Sequence, residues 1–200
     1  MPRKCDVITV LILLSAAWTA NAVEEPAFEL VRQTGDFEIR RYPPLLLAET
    51  LVEGEFRESG NEAFWRLAGF IGGENATSDA EAVKIDMTAP VISRKAAGQR
   101  YWHQFVMPQS YNLQTLPKPL NSEVVIKEFA GGTFAVRRFS GRWRESYFRR
   151  ETEELTAALK AAGIATTGAP LFARYNSPFM PAFMRRNEVW LAVEQNIAPQ

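Results

Sequence analysis

Few side chains in this sequence are suited to acid–base, nucleophilic or metal chemistry. It contains one histidine, His103, and one cysteine, Cys5. A lone histidine without partner ligands is weak evidence for a metal site, so His103 is interpreted as a half-exposed strand residue on the face of Tyr101 and Phe105, with metal ligation as the alternative. Asp86 and Glu188 lack a neighbouring histidine, cysteine or serine base arrangement, so we expect these carboxylates to be solvated or ion-paired.

Arginines are the other groups with a recognisable binding chemistry. Because a guanidinium pairs well with carboxylate oxygens, Arg66 and Arg185 are candidates for holding a ligand carboxylate, and ordinary surface ion pairing is the alternative. For Arg186, Glu188 is an available partner in the same strand region. The whole chain has 23 basic and 23 acidic residues, which indicates no electrostatic footprint for nucleic acid or an anionic membrane. Partners are expected to be small molecules or proteins.

The first 22 residues have the pattern of a secretory signal peptide. Arg3 and Lys4 precede an apolar stretch at residues 7–18, and its 12 residues are too few to cross a bilayer, which takes about 20. Ala20-Asn21-Ala22 supplies the small residues that signal peptidase recognises. We therefore expect residues 1–22 to be removed, a periplasmic or secreted location, and no membrane insertion after cleavage; an uncleaved anchor is the alternative.

Removal of the signal peptide also removes Cys5. The remaining chain then has no thiolate nucleophile, no thiolate zinc site and no Cys-x-x-Cys-His motif for covalent haem attachment. It also lacks a second long apolar segment, a low-complexity tract and a charge block. Residues 23–200 are expected to form one domain, because a chain of this length buries roughly 70% of its unfolded surface without needing disulfides.

The spacing of apolar residues predicts two helices among short strands, which is the α+β class. Ser59 is the expected N-cap of the first helix and Gly72-Gly73 its end, while the second helix runs from about residue 143 to 162 and ends at Gly163. The predicted antiparallel strands are residues 37–42, 45–56, 84–91, 100–107, 124–129, 171–175 and 188–194.

Short matches in the same order predict an internal repeat. The pattern Phe-x-aliphatic-Arg-Arg-aromatic occurs at residues 37–42 and again at 134–139. Arg57-Glu58-Ser59 matches Arg144-Glu145-Ser146, and Thr88-Ala89-Pro90 compares with Asn176-Ser177-Pro178. Chance is the alternative, but a long helix after the second match in each half favours duplication.

Four segments together resemble the SOUL haem-binding family. They are Phe-Glu-Ile-Arg-Arg-Tyr at 37–42, Ile-Asp-Met-Thr-Ala-Pro-Val at 85–91, Tyr-Asn-Ser-Pro at 175–178 and Arg-Asn-Glu-Val-Trp-Leu at 186–191. The similarity spans about residues 28–194. It implies duplicated β-α-β-β halves that form a curved antiparallel sheet, or distorted barrel, flanked by two long helices.

The resemblance also implies a function without catalysis. Such a protein binds haem or a related porphyrin non-covalently, as a carrier, buffer or sensor, so the partner is a small, flat, hydrophobic ligand in an apolar groove beside the first helix. The loop at residues 179–184 is expected to close over it, and packing under the sheet edge is the alternative. The implied ligand-binding residues are Phe64, Leu67, Ala68, Ile71, Val91, Phe179, Met180, Phe183 and Met184, with Arg66 and Arg185 as basic candidates.

Two positions depart from the family pattern. The histidine proposed as axial haem ligand in some members falls on Arg41, and a guanidinium has no free lone pair for iron. A lysine near the ligand in some members falls on Met180. No metal ligand is therefore predicted in the protein. The competing functions are a binding module for other amphiphilic small molecules and, third, a small-molecule hydrolase.

Overall fold

A computed structural model describes residues 23–194, so the predicted signal peptide lies outside the described residues. The α+β class is confirmed. The two long helices are α1 (Phe56–Gly72) and α2 (Glu145–Ala161), and a 3₁₀ turn covers Ala182–Met184. The strands are β1 (Glu29–Gln33), β2 (Glu38–Tyr42), β3 (Leu45–Glu53), β4 (Asn75–Ala76), β5 (Val91–Lys95), β6 (Arg100–Val106), β7 (Lys118–Pro119), β8 (Val125–Phe129), β9 (Gly132–Phe139), β10 (Thr166–Arg174) and β11 (Asn187–Val193).

Nine strands form one antiparallel sheet in the order β1-β2-β9-β11-β10-β5-β6-β3-β8. The edge strands β1 and β8 do not pair with each other, so the sheet is open. This agrees with the expected curved sheet and corrects the description of it as a distorted barrel. The two short strands β4 and β7 pair separately.

Apart from the edge strand β1, the strand order is symmetric about its centre. From one side the strands run β2, β9, β11, β10, and from the other β8, β3, β6, β5. In each set the second strand leads directly into a helix, β9 into α2 and β3 into α1, as β-α-β-β units require. The matched segments 37–42 and 134–139 lie on β2 and β9, which this symmetry does not relate. The internal repeat therefore stays a prediction.

Both helices pack on the same face of the sheet. Phe172 of β10 packs in the α2 cluster and pairs with Ser93 of β5, which pairs with His103 of β6. Paired residues of neighbouring strands point to one face, and the His103 ring contacts Ser59 of α1. The core thus has two apolar clusters under the helices, one around Phe148 of α2 and one around Phe70 of α1.

The face of the sheet turned away from the helices carries a buried ion cluster around Glu188. Arg40 Nη1 donates to Glu188 Oε2 at 3.0 Å, and Arg186 Nε donates to Oε1 at 2.9 Å. Tyr175 Oη and Trp190 Nε1 each donate to Oε2 at 2.8 Å. Burial alone raises the pKa of Glu188, but the two arginines bring it below its usual value. The expected ion pairing of Glu188 is confirmed.

Two local predictions were wrong. Helix α1 begins at Phe56, one turn before Ser59, and the Ser59 side chain is buried, where it donates to the carbonyl oxygen of Phe56 at 3.3 Å. Residues 84–90 are not a strand: Ile85 and Ala89 are buried there, but Thr88 makes only an isolated bridge to Glu24. This connecting segment buries Ile85 and residues 88–90 without a ladder of strand hydrogen bonds, so its apolar residues resembled those of a strand.

Candidate functional site

An apolar groove opens on the helix-bearing face, between α1 and the loop that follows β10. Its volume is about 470 Å³, within the range of about 300–1,000 Å³ usual for ligand pockets. Among residues 23–194, no acidic side chain lines the groove, and Arg174 is the one charged residue that does. Its lining is Val23, Gly60, Asn61, Phe64, Trp65, Met87, Thr88, Ala89, Val91, Trp143, Arg174, Tyr175, Asn176, Ser177, Pro178 and Phe179.

A second cavity of about 560 Å³ adjoins the groove and has a different chemistry. Trp143, Arg174 and Phe179 are among the residues that line both. Five arginines line the second cavity and no carboxylate does. These arginines are Arg57, Arg142, Arg144, Arg174 and Arg185. The combined site therefore has an apolar part and a positively charged part.

Arg174, at the end of β10, is the group that joins the two cavities. Its Nη2 donates to Ser93 Oγ at 3.3 Å, and its guanidinium carbon lies 5.2 Å from the centre of the Trp143 ring. Its Nε is inaccessible to solvent and has no hydrogen-bond partner. Within residues 23–194 it forms no ion pair, and burial lowers its pKa to about 10.

His103 lies beneath Arg174 and is fully buried rather than half-exposed, although it does lie on the predicted face with Tyr101 and Phe105. Its Nδ1 is 2.8 Å from Ser93 Oγ and its Nε2 is 3.2 Å from Ser59 Oγ. Burial and the nearby charge of Arg174 lower the pKa of His103 to about 3. The ring is therefore neutral at physiological pH, and both nitrogens are engaged by hydroxyls.

The loop between β10 and β11 is held in a defined shape beside the groove. Arg185 donates to the carbonyl oxygens of Met180 and Pro178 at 2.8 and 2.7 Å, and its guanidinium lies over the Trp143 ring at 4.6 Å. Phe179 extends from this loop with 95% of its surface exposed. A ligand in the groove has an aromatic side chain available at its open edge.

The start of the described chain contributes to the rim of the groove. Val23 lines it, and the carbonyl oxygen of Glu24 accepts a hydrogen bond from Ala89 N at 2.8 Å. The Glu24 carboxylate accepts one from Gln109 N at 2.8 Å. These bonds fix the first residues against the segment that forms one groove wall.

Some of the residues predicted to bind ligand are brought together and others are not. Phe64, Val91 and Phe179 line the apolar groove, while Met180 and Arg185 line the arginine cavity. The remaining predicted residues do not line either cavity. Leu67 and Ile71 are buried against the sheet, Ala68 is half-buried on α1, Phe183 and Met184 are exposed on the loop, and Arg66 pairs with Glu62 and Glu123.

The other singled-out positions lie away from the groove. Asp86 is exposed, as expected for a solvated carboxylate. Arg41, at the family's histidine position, pairs with Glu29 at 2.7 Å near the sheet edge. Within residues 23–194, no group of three or more potential metal ligands is placed to hold an ion. Over the same residues, no helix is long and apolar enough to span a membrane.

Sequence reasoning missed Arg174 and Trp143, although a signal for Arg174 was present. Buried Phe172 faces the helices, and alternation along β10 gives Arg174 the same direction. A basic residue in the inward register of a strand is unusual, because burial of an unpaired charge is costly. Trp143 offers no such signal, because its spacing places it on the apolar side of the predicted second helix. In the structure α2 begins only at Glu145.

The open antiparallel sheet, its two helices on one face and the groove between α1 and the loop after β10 define an α+β domain with a ligand-sized groove. The family model described as "SOUL heme-binding protein" matches residues 23–192. This chain therefore belongs to the SOUL family. It is 31% identical to human "Heme-binding protein 2", over 86% of this chain and 87% of the human protein.

Solved structures share the fold at low sequence identity. The C-terminal domain of EcmrR has a TM-score of 0.58 and 10% identity, over 78% of this chain and 95% of that domain. A structure described as a hydrolase from Listeria innocua has a TM-score of 0.56 and 11% identity, over 82% of this chain and 94% of that chain. At such identities the likeness concerns the fold alone.

Proposed function

We propose that this protein binds haem or a related tetrapyrrole non-covalently and without catalysis. The observation that carries the proposal is the apolar groove of about 470 Å³ with an arginine cavity beside it. A tetrapyrrole such as haem has a flat apolar ring system with acidic substituents, so the two parts of the site fit its two parts. Membership of the SOUL family and the similarity to human "Heme-binding protein 2" support the same ligand.

The chain's own residues would hold the ring system by packing. Phe64 and Trp65 on α1, Val91 on β5 and Phe179 on the loop present apolar surface along the groove. Haem itself would supply any iron chemistry when bound. His103 is enclosed by Ser59 and Ser93, so ring packing rather than histidine ligation is the source of affinity.

The lining of the two cavities also lacks a carboxylate or imidazole that could act as a general base in hydrolysis. The Ser59 hydroxyl near His103 is buried under α1 and does not line the groove. Among the residues that line the two cavities there is no aspartate, glutamate, histidine or cysteine, so the hydroxyls of Thr88, Tyr175 and Ser177 have no general base beside them in the lining. These observations support a carrier, buffer or sensor over an enzyme.

Export of the protein is part of the same proposal. The basic, apolar and small-residue segments at positions 1–22 support processing by signal peptidase and a periplasmic or secreted location. Mass spectrometry of the protein recovered outside the cytoplasm is expected to find an N-terminus at Val23. Recovery of the intact chain from a membrane fraction would favour an uncleaved anchor instead.

Titration with haem and with iron-free protoporphyrin, followed by Soret absorbance, tests the binding function. We expect saturable one-to-one binding of both. Phe64→Ser removes a groove wall and is expected to weaken binding roughly tenfold, since burying such a side chain contributes about 1.5–3 kcal/mol. Leu120→Ser, at a position 67% exposed and outside both cavities, is the matched control and is expected to bind like wild type.

Three results would contradict the proposal in different ways. Absence of saturable binding for either ligand would remove the tetrapyrrole assignment and leave the fold. Binding of haem but not of protoporphyrin would mean that iron ligation, and not ring packing, supplies the affinity. Equal loss in Phe64→Ser and Leu120→Ser would place the ligand elsewhere on the protein.

A further inference from the structure

The guanidinium of Arg174 is a charged group without a counter-ion among the described residues. It forms no ion pair within residues 23–194, and its single hydrogen bond is the 3.3 Å contact with Ser93 Oγ. Its Nε has neither a partner nor access to solvent. Arg174 is half-buried, and a guanidinium in such a position is normally paired with a carboxylate, because removing an unpaired charge from water is costly. The missing partner points to an anion that comes from outside the chain.

The surroundings of Arg174 add positive charge and supply nothing to neutralise it. Arg57, Arg142 and Arg144 line the same cavity and form no ion pair within the described residues. Arg185 is committed to two backbone carbonyls, which leave its charge uncompensated. With no carboxylate in either cavity wall, the positive potential at the junction is open to a bound anion.

Local structure keeps Arg174 in place without an anion. A Cβ atom at Gly60 would lie 3.3 Å from Arg174 Nη1, so the glycine of α1 provides the space that the guanidinium fills. Trp143 lies on the other side, with its ring centre 5.2 Å from the guanidinium carbon. Because the side chain is already ordered, little conformational entropy is lost when it binds a ligand.

We infer that Arg174 is the carboxylate-binding residue of the site, and that it selects tetrapyrroles that carry free acid groups. The inference rests on the proposed function, since it assigns a chemical class to the ligand of the same groove. The ring system packs between α1 and the loop, and one acidic substituent reaches Arg174 at the junction of the two cavities. The other acid faces the arginine cavity, so neutral esters and cationic amphiphiles bind weakly.

Iron-free protoporphyrin IX and its dimethyl ester provide the direct comparison, because they share the ring system and differ in charge. Quenching of the fluorescence of Trp65 and Trp143, both in the groove, reports binding of either compound. The free acid is expected to bind wild type at least about tenfold more tightly than the ester, as one charge-assisted hydrogen bond predicts. Added salt is expected to reduce this preference.

Variants of Arg174 locate the origin of the preference. Arg174→Gln is expected to weaken binding of the acid roughly tenfold and to leave binding of the ester unchanged, whereas Arg174→Lys keeps part of the preference. Arg149→Gln is the control, because Arg149 is an exposed arginine on α2 outside both cavities. Comparing acid with ester in each variant separates a lost carboxylate contact from a damaged fold.

Each other outcome is informative in its own way. If wild type binds acid and ester equally, or if Arg174→Gln weakens both equally, Arg174 has a structural role and the inference is overturned while tetrapyrrole binding stands. If neither porphyrin binds wild type saturably, the proposed function itself fails, and the assignment of the acid group falls with it.

Discussion

Arg40 and Arg174 are two arginines in one sheet with opposite surroundings. Arg40 is 4% exposed, and Glu188 and Glu38 accept hydrogen bonds from its guanidinium. Arg174 is on the opposite face, beside the groove, and has no carboxylate partner in the described residues. Both side chains are built into strands next to aromatic rings, so residue type and strand location alone do not distinguish them.

The difference shows how to separate a structural charge from a binding charge. The ion cluster around Glu188 is complete within the protein, because four donors surround one carboxylate. The arginines that line the groove and its neighbouring cavity have no carboxylate partner among the described residues. A site that must accept and release an anion has to keep its cations free of internal partners, and this costs stability that the rest of the fold supplies.

The largest expected effect comes from breaking the complete cluster. Arg40→Gln removes one of the two cations that compensate buried Glu188, and loss of a buried ion pair typically costs about 3–5 kcal/mol. We expect the free energy of unfolding to fall by about 3 kcal/mol, because Arg186 still pairs with Glu188. Urea denaturation measures this. An unchanged unfolding midpoint would show that the cluster contributes no net stability.

The second prediction concerns pH and the histidine beneath Arg174. The pKa of His103 is about 3 in the folded protein, below the ordinary value of 6.5, so the unfolded chain takes up a proton that the folded protein does not. Neutral, buried His103 therefore contributes stability that is fully present above about pH 6.5. This contribution is lost as the pH falls toward 3, because protonation favours the unfolded chain. Between pH 7 and 5 we expect a loss of about 2 kcal/mol, measured by urea denaturation.

His103→Gln provides the comparison for that measurement, since glutamine does not titrate. The variant is expected to be less stable than wild type at pH 7 but to change little between pH 7 and 5. The lowered pKa of Glu188 acts at more acid pH and affects both proteins alike. A similar loss in both proteins over this interval would show that another group titrates.

The smallest expected effect has the opposite sign. It again replaces an arginine by glutamine, this time at Arg174. Arg174→Gln removes an unpaired charge from the groove, so we expect the ligand-free protein to gain about 1 kcal/mol in free energy of unfolding or to stay within error of wild type. Thermal denaturation without ligand is a suitable assay. A loss as large as that of Arg40→Gln would mean that Arg174 also has an essential structural partner.

Local patterns in the sequence predicted much of the fold. Alternation at residues 37–42 corresponds to β2, and Gly72-Gly73 and Gly163 mark the ends of both helices because each end needs a residue tolerant of positive φ. The strand prediction failed at residues 84–90, where a connecting segment buries Ile85 and residues 88–90 but pairs with no neighbouring strand along its length. A buried connecting segment and a paired strand can show the same spacing of apolar residues, so this spacing alone does not predict strand pairing.

The site was less predictable because its decisive properties are long-range. Arg40 and Glu188 are 148 positions apart, and Arg174 contacts Ser93 across 81 positions. Which arginine has a carboxylate partner therefore depends on the order of strands in the sheet. Of the α1 residues that the family resemblance implies, Phe64 lines the groove, whereas Leu67 and Ile71 face the core.

The position of Val23 at the rim has a kinetic consequence. Glu24 accepts hydrogen bonds from the backbone amides of Ala89 and Gln109, and these fix Val23 beside the opening of the groove. A chain that begins at Val23 and one with extra residues attached before it are therefore expected to load ligand at different rates, even where their affinities at equilibrium agree.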